Sequence, residues 1–182
     1  MKVYLAGPDV FLPDARTIGA AKKDICARFG LVGLYPLDGE DDAPDPGAAT
    51  LSMQIFGSCV ARMEDADAVI AHLTPFRGPS ADPGTVFELG FMAARGRLCT
   101  GYTNRRGAYC GRVDHTDRTG GIVRDRDRLL VEDFGLADGL MIVHALDTFG
   151  LALLTPEVEP DDVFRDLTLF TKCVEWLAAR RP

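Results

Sequence analysis

Short, continuously apolar runs alternate with amphipathic stretches of helical length along this chain, and that alternation restricts its fold more than any other feature. Lys2 to Ala6 (KVYLA), Leu31 to Tyr35, Asp67 to Leu73 (DAVIAHL), Leu98 to Tyr102 and Leu140 to Ala145 read as strands buried on both faces. Asp14 to Phe29, Ala48 to Glu64 and Pro83 to Arg95 read as helices, the last opened by Asp82 as N-cap and Pro83 at the first helical position. A closing helix is expected over Val163 to Ala179, with Val163, Leu167, Phe170, Val174 and Leu177 on one stripe. Strand–helix alternation of this kind requires a parallel sheet covered by helices on both faces. The expected fold is therefore an α/β three-layer sandwich around a five-stranded parallel sheet. The length of 182 residues, without repeat or linker, fits one domain over 1–182. The charged, Gly-rich stretch from Thr103 to Arg128 is expected to be a long loop, an excursion or lid beside the sheet.

Charge and composition exclude several classes. There are 27 acidic residues against 20 basic ones, a net charge of -7. That argues against coating a nucleic-acid polymer, which needs a basic face. No apolar run approaches the ~18 residues needed to cross a bilayer, so no membrane partner is expected. The opening MKVYLAGPDVF goes straight into a strand without a signal-peptide apolar region, and the expected compartment is the cytoplasm. The five cysteines (Cys26, Cys59, Cys99, Cys110, Cys173) form no CxxC pair and read as free thiols. Cys110 and His115 lack a further ligand pair at metal spacing, so no metal is expected.

In an open parallel sheet, ligands sit beyond the carboxyl ends of the strands. The candidates are then Gly7 to Phe11, Pro36 to Glu40, Thr74 to Asp82 and the loop after Tyr102. These loops hold carboxylates and lack phosphate-cradling motifs: no GxGxxG follows the first strand and no GxxxxGK[ST] occurs. A receiver-type phosphoacceptor Asp is also missing, because the third strand ends His72-Leu73-Thr74. The informative segment is Asp82-Pro83-Gly84-Thr85-Val86-Phe87-Glu88-Leu89-Gly90. It places two carboxylates at the electropositive start of one helix, where the dipole favours their ionised, nucleophilic form. The same pattern also serves plain helix capping, and spacing alone does not choose between the two.

The segments Val3-Tyr4-Leu5-Ala6-Gly7-Pro8-Asp9-Val10-Phe11, Tyr35-Pro36-Leu37-Asp38, Ala66-Asp67-Ala68-Val69-Ile70-Ala71-His72-Leu73-Thr74-Pro75-Phe76-Arg77-Gly78 and Asp82 through Gly90, in that order, resemble the nucleoside 2-deoxyribosyltransferases. The resemblance implies a flavodoxin-like sheet, no cofactor, and transfer of 2-deoxyribose between nucleobases through a covalent glycosyl-enzyme. It puts Glu88 in the place of the nucleophile, Tyr4 in that of the tyrosine holding it, and Asp82 in that of the carboxylate near sugar and base. Asp38 and Glu40 fall in the loop facing the base, and Met141 in a segment that a neighbouring subunit contributes. Gly7, Asp9, Phe11, Cys59, Phe76, Gly78, Gly84 and Gly139 complete the expected substrate-binding set. The implied partners are small nucleosides and nucleobases, and a second copy of the chain in a homodimer or larger homo-oligomer.

Two positions depart from the family pattern. Cys59, eight residues before Asp67, and Gly139, before Leu140 and Met141, stand where the family carries Asn or Asp and Asn. A thiol is a weak hydrogen-bonding group and glycine offers no side chain. The pocket is therefore open to another 5′ group, another base, or water. The competing readings are a hydrolase of (deoxy)nucleosides or their 5′-monophosphates and a non-catalytic nucleotide-binding module. Phe11 and Phe76 read either as base-stacking platforms or as core, Arg77 as a phosphate ligand or a solvated loop residue, and His72 as a core group.

Overall fold

The structure is a computed structural model describing residues 1–39 and 50–180. Its central sheet contains β1 (Lys2–Ala6), β2 (Val32–Leu34), β3 (Ala68–His72) and β4 (Leu98–Tyr102) in the order β2-β1-β3-β4, all parallel. The helices are α1 (Ala15–Arg28), α2 (Leu51–Asp65), α3 (Pro83–Ala94), α4 (Leu140–Phe149) and α5 (Thr168–Ala178). Side chains alternate across a strand, and the two faces of this sheet build separate cores. Val3, Leu5, Ala68, Ile70 and Tyr102 pack with Ile25 and Cys26 of α1 and Phe170, Cys173, Val174 and Leu177 of α5. Tyr4, Ala6, Val69, Ala71 and Cys99 pack with Met63 of α2, Leu89 and Met92 of α3 and Leu146 of α4. Three layers result, as the alternation requires, and the strand order matches the first four positions of the flavodoxin-like arrangement.

The sheet has four strands among the described residues, not the expected five. Leu140–Ala145 is not a strand: it forms the first turns of α4, where Val143 and Leu146 are buried three apart while Met141 stands exposed. A short apolar run carries no periodicity that separates strand from buried helix, and here the 3.6-residue period wins. The edge beyond β4 is instead lined by residues 150–154, through the parallel bridges Cys99↔Gly150 and Tyr102↔Leu154. Gly150 is required there, because a Cβ at that position would lie 1.8 Å from the Cys99 carbonyl oxygen.

The expected long loop also contains structure. After a 3-10 turn at Tyr109–Arg112, β5 (His115–Thr119), β6 (Ile122–Asp125) and β7 (Leu130–Val131) form a small antiparallel sheet. The closing helix starts five residues later than its stripe implied. The buried Asn104 at the end of β4 takes the Val163 and Asp166 carbonyls with its amide, at 2.9 and 3.0 Å, and Asp162 caps the Phe164 and Arg165 amides. Those backbone groups are committed before a helix can use them.

Candidate active site

The sheet reverses direction of growth between β1 and β3, and the side chains at their carboxyl ends converge there. Tyr4 points to the α2/α3 face with no solvent exposure, and its hydroxyl donates to Glu88 Oε1 at 2.6 Å. The Cys59 thiol, on α2, lies within hydrogen-bonding reach of the same hydroxyl. Burial, then the negative charge of Glu88, pushes the Tyr4 phenol far above its ordinary range, so it remains a protonated donor.

Glu88 sits half-buried in the second turn of α3. Burial raises its carboxyl to about 7; the Tyr4 hydrogen bond opposes that shift, and the charges of Asp82 and Asp9 add to it. Asp82 caps α3, with Oδ2 accepting from the Thr85 amide at 2.9 Å and the Thr85 hydroxyl at 3.1 Å. Its Oδ1 has no hydrogen bond among the described residues, and Asp82 borders a cavity of about 500 Å³ lined by residues 76–83. Gly84 leaves this helix start open: a Cβ there would press to 3.0 Å on Asp82 Oδ2. Asp82 thus caps the helix while lining the cavity, so the capping reading of the Asp82–Glu88 segment holds and leaves the functional one open.

Behind these groups lies a buried polar network. Asp9 is fully enclosed, with Lys22 Nζ at 2.8 Å from both carboxylate oxygens, His72 Nδ1 at 3.0 Å and the Tyr35 hydroxyl at 3.3 Å. Burial alone would raise the Asp9 carboxyl, but the Lys22 charge and the His72 hydrogen bond hold it well below the usual range. Burial, with Lys22 nearby, holds His72 below its ordinary value and therefore neutral. An ionised Asp9 can only accept, so His72 donates from Nδ1 and accepts the Thr74 hydroxyl on Nε2 at 2.8 Å. Thr74 Oγ1 in turn accepts the Asn104 amide at 2.9 Å. Gly7 is bound to this network: a Cβ there would meet Asp9 Oδ1 at 2.4 Å and the His72 Cβ at 2.8 Å.

Phe11 and Phe76 stack on each other at the rim, with centroids 5.2 Å apart and planes 10° apart, and Phe11 is 55% exposed. Gly78 borders the Asp82 cavity. Asp38 is held by Lys23 of α1 and accepts from the Tyr35 amide at 2.9 Å. Gly139 is the N-cap of α4, and Met141 in its first turn is 78% exposed. The buried Asp138 beside Gly139 ties α4 to the cavity loop by accepting from the Ser80 hydroxyl and from the Ala81 amide at 3.0 Å. Glu40 lies outside the described residues. Lys22 and Asp138 had no sequence signal, since each is matched to a partner distant in the chain. Among the described residues no group of three or more His, Cys, Asp or Glu is placed to hold a metal ion, and no helix is long and apolar enough to cross a membrane.

A parallel α/β sheet carrying a tyrosine-held carboxylate at its switch point defines an enzyme class that works on small ligands at strand ends. The family model described as nucleoside 2-deoxyribosyltransferase matches residues 3–141, and the chain belongs to that family. An uncharacterized protein of Schizosaccharomyces pombe is 35% identical over 156 residues, covering 76% of this chain and 74% of that one. The 2-deoxyribosyltransferase of Leishmania mexicana superposes with a TM-score of 0.63 at 28% identity, over 96% of this chain and 97% of that one. A conserved protein from Enterococcus faecalis superposes with a TM-score of 0.59 at 18% identity over 100% and 99% of the two chains, a likeness of fold.

The Glu88 environment makes a prediction about stability. A carboxyl raised from 4.5 to about 7 in the folded state favours folding below pH 4.5, and that contribution is lost as pH rises through 7. Glu88→Gln, neutral at every pH, should melt a few degrees above the parent chain at pH 8, with the gap closing toward pH 4.5. Thermal melts across this range check it; a gap independent of pH would contradict the assigned environment.

Proposed function

We propose that this chain transfers 2-deoxyribose from one nucleobase to another through an ester of Glu88. The observation that carries the reading is the 2.6 Å hydrogen bond from the buried Tyr4 hydroxyl to Glu88 Oε1. It fixes the carboxylate and leaves Oε2 for attack on the anomeric carbon. As that bond forms, the C–N bond to the base breaks, and its electron pair leaves on the base nitrogen, which takes a proton from water or a neutral carboxyl. The transition state carries oxocarbenium character, which Glu88 and Asp82 stabilise electrostatically. In the ester, Oε1 becomes the carbonyl oxygen and still accepts from Tyr4. A second base then attacks the anomeric carbon through a ring nitrogen, sheds a proton, and returns Glu88 as carboxylate. Water in the same position gives hydrolysis.

The Asp9 network supports this chemistry from behind: Asp9 sits within the sheet end and acts as a positioning residue for Gly7 and the Phe11 loop. The proposal also includes self-association. On α2, Leu51, Ile55 and Phe56 are exposed, and Phe56 lies 6.3 Å from the exposed Phe87 of α3, one residue from Glu88. An apolar strip beside a reactive carboxylate suits a second copy of the chain.

Incubating the protein with a deoxynucleoside and a second free base should yield the new deoxynucleoside, and Glu88→Ala should lower that turnover by at least ~10³-fold. Free deoxyribose as the product would assign hydrolysis instead, and unchanged turnover in the variant would remove the covalent step. Because Glu88 attacks only when ionised, kcat/KM should rise with pH to a plateau with its midpoint near about 7. Tyr4→Phe, which deletes the bond opposing the raised value, should move that midpoint upward and lower the plateau about tenfold or more. A profile unmoved by Tyr4→Phe would detach the tyrosine from the nucleophile. Sedimentation should show a dimer or larger species, and Phe56→Asp should shift it toward monomer; a monomeric parent chain would refute the self-association.

A further inference from the structure

The Thr74–Asp82 loop carries a charged side chain that the chemistry above leaves unused. Arg77 is the only Lys or Arg in the three segments Gly7–Phe11, Pro36–Glu40 and Thr74–Asp82 that follow the first three strands. Its guanidinium carbon lies 5.1 Å from the Phe11 ring centroid and 4.6 Å from that of Phe76, against the stacked pair. Cation–π contact of this kind holds the position of the group and leaves its N–H donors unused. No carboxylate pairs with it among the described residues, whereas Arg95, Arg105 and Arg165 are engaged by Glu64, Glu159 and by Asp14 with Asp162. Arg77 also adopts φ 56°, a left-handed conformation disfavoured for any residue but glycine, so the loop places this side chain against local backbone preference. It borders the same cavity of about 500 Å³ that Asp82 lines.

From these observations we infer that Arg77 anchors a phosphoryl group on the substrate, so that the site binds deoxynucleoside 5′-monophosphates more tightly than the parent nucleosides. The inference rests on the glycosidic-bond reading above and names its substrate class. Charge decides for a phosphate over the edge of a base. An oxo-base needs only neutral donors, which backbone amides supply. A dianion brought to a rim holding Asp82 and Glu88, on a chain of net charge -7, needs a cation with free donors in a planar fork. Arg77 is the described residue in these segments that supplies one. Phe11 and Phe76, closed on each other in this structure, gain a role in holding that fork.

The test is binding, measured by calorimetry on full-length Glu88→Gln protein so that no turnover intervenes. The ligands are 2′-deoxyadenosine and 2′-deoxycytidine 5′-monophosphates and their parent nucleosides. At least one monophosphate should bind about 10- to 100-fold more tightly than its parent. Raising the ionic strength should shrink that ratio. Arg77→Gly, which suits the left-handed backbone and preserves the loop, should bring the ratio close to one, and Arg77→Lys should keep part of it. A parent nucleoside that binds as well as its monophosphate, or a preference that survives Arg77→Gly, overturns the inference. The two readings fail separately: loss of the preference with exchange intact removes the anchor alone, and a dead exchange assay with the preference intact removes the covalent step alone.

Discussion

The hydrogen bond between Tyr4 and Glu88 joins the first strand to the third helix, and the site's chemistry depends on how each end is held. Tyr4 is fixed because β1 alternates: Val3 and Leu5 turn to one core while Tyr4 and Ala6 turn to the other, so the phenol arrives beneath α3 with no rotamer to spare. Glu88 is fixed because α3 starts at a well-formed cap, and its second turn falls over that phenol. The carboxylate is thereby drawn partly out of water, beside two other acidic groups, and its pKa rises to about 7. A carboxyl in that range is poised between nucleophile and neutral acid near physiological pH, at a cost to the stability of the fold.

The acidic groups of the site divide into two kinds by their counter-charges. Asp9 is more deeply buried than Glu88, yet it is held ionised by Lys22, His72 and Tyr35, and every oxygen is occupied. A buried carboxylate with its hydrogen bonds saturated is inert, and its loss of a partner would leave a charge stranded. Glu88 and Asp82 have no cation among the contacts described for them. The three acids therefore differ in compensation more than in burial: Asp9 is paired on both oxygens, whereas Glu88 and Asp82 are not.

How much of this was legible in the sequence depended on whether the signal was local. β1, β3, β4, α1 and α3 carry their own periodicity and caps, and appear within a residue or two of where the pattern puts them. The Leu140–Ala145 run failed because a six-residue, mostly apolar segment fits a buried strand and a buried helix equally well; Leu146 and the cap at Gly139 settle it in three dimensions. The small sheet over 115–131 was hidden because His115-Thr116-Asp117-Arg118-Thr119 has no apolar alternation. At the site, helix-start chemistry marked Asp82 and Glu88, but Tyr4 was marked by resemblance alone. The Lys22–Asp9 pair and the Asp138 tie were invisible, since nothing in a helix's periodicity distinguishes a lysine that turns inward to a carboxylate.

The rim divides rigid parts from adaptable ones. Gly7 is locked against Asp9 and His72, residues 80–81 are tied to Asp138 at the start of α4, and Asn104 secures the end of β4 to the segment before α5. Against that frame, Phe11 and Arg77 are left largely in water. A pocket whose reacting groups sit on the locked elements keeps its geometry whichever ligand arrives, as displacement at a carbon centre demands. The proposed nucleophile thus stands on a locked element, and the exposed side chains can be exchanged without moving it. The positions that depart from the family pattern follow the same division. Cys59 touches Tyr4, where a weak partner leaves the phenolic proton committed to Glu88. Gly139 is the N-cap of α4 and offers no side chain there.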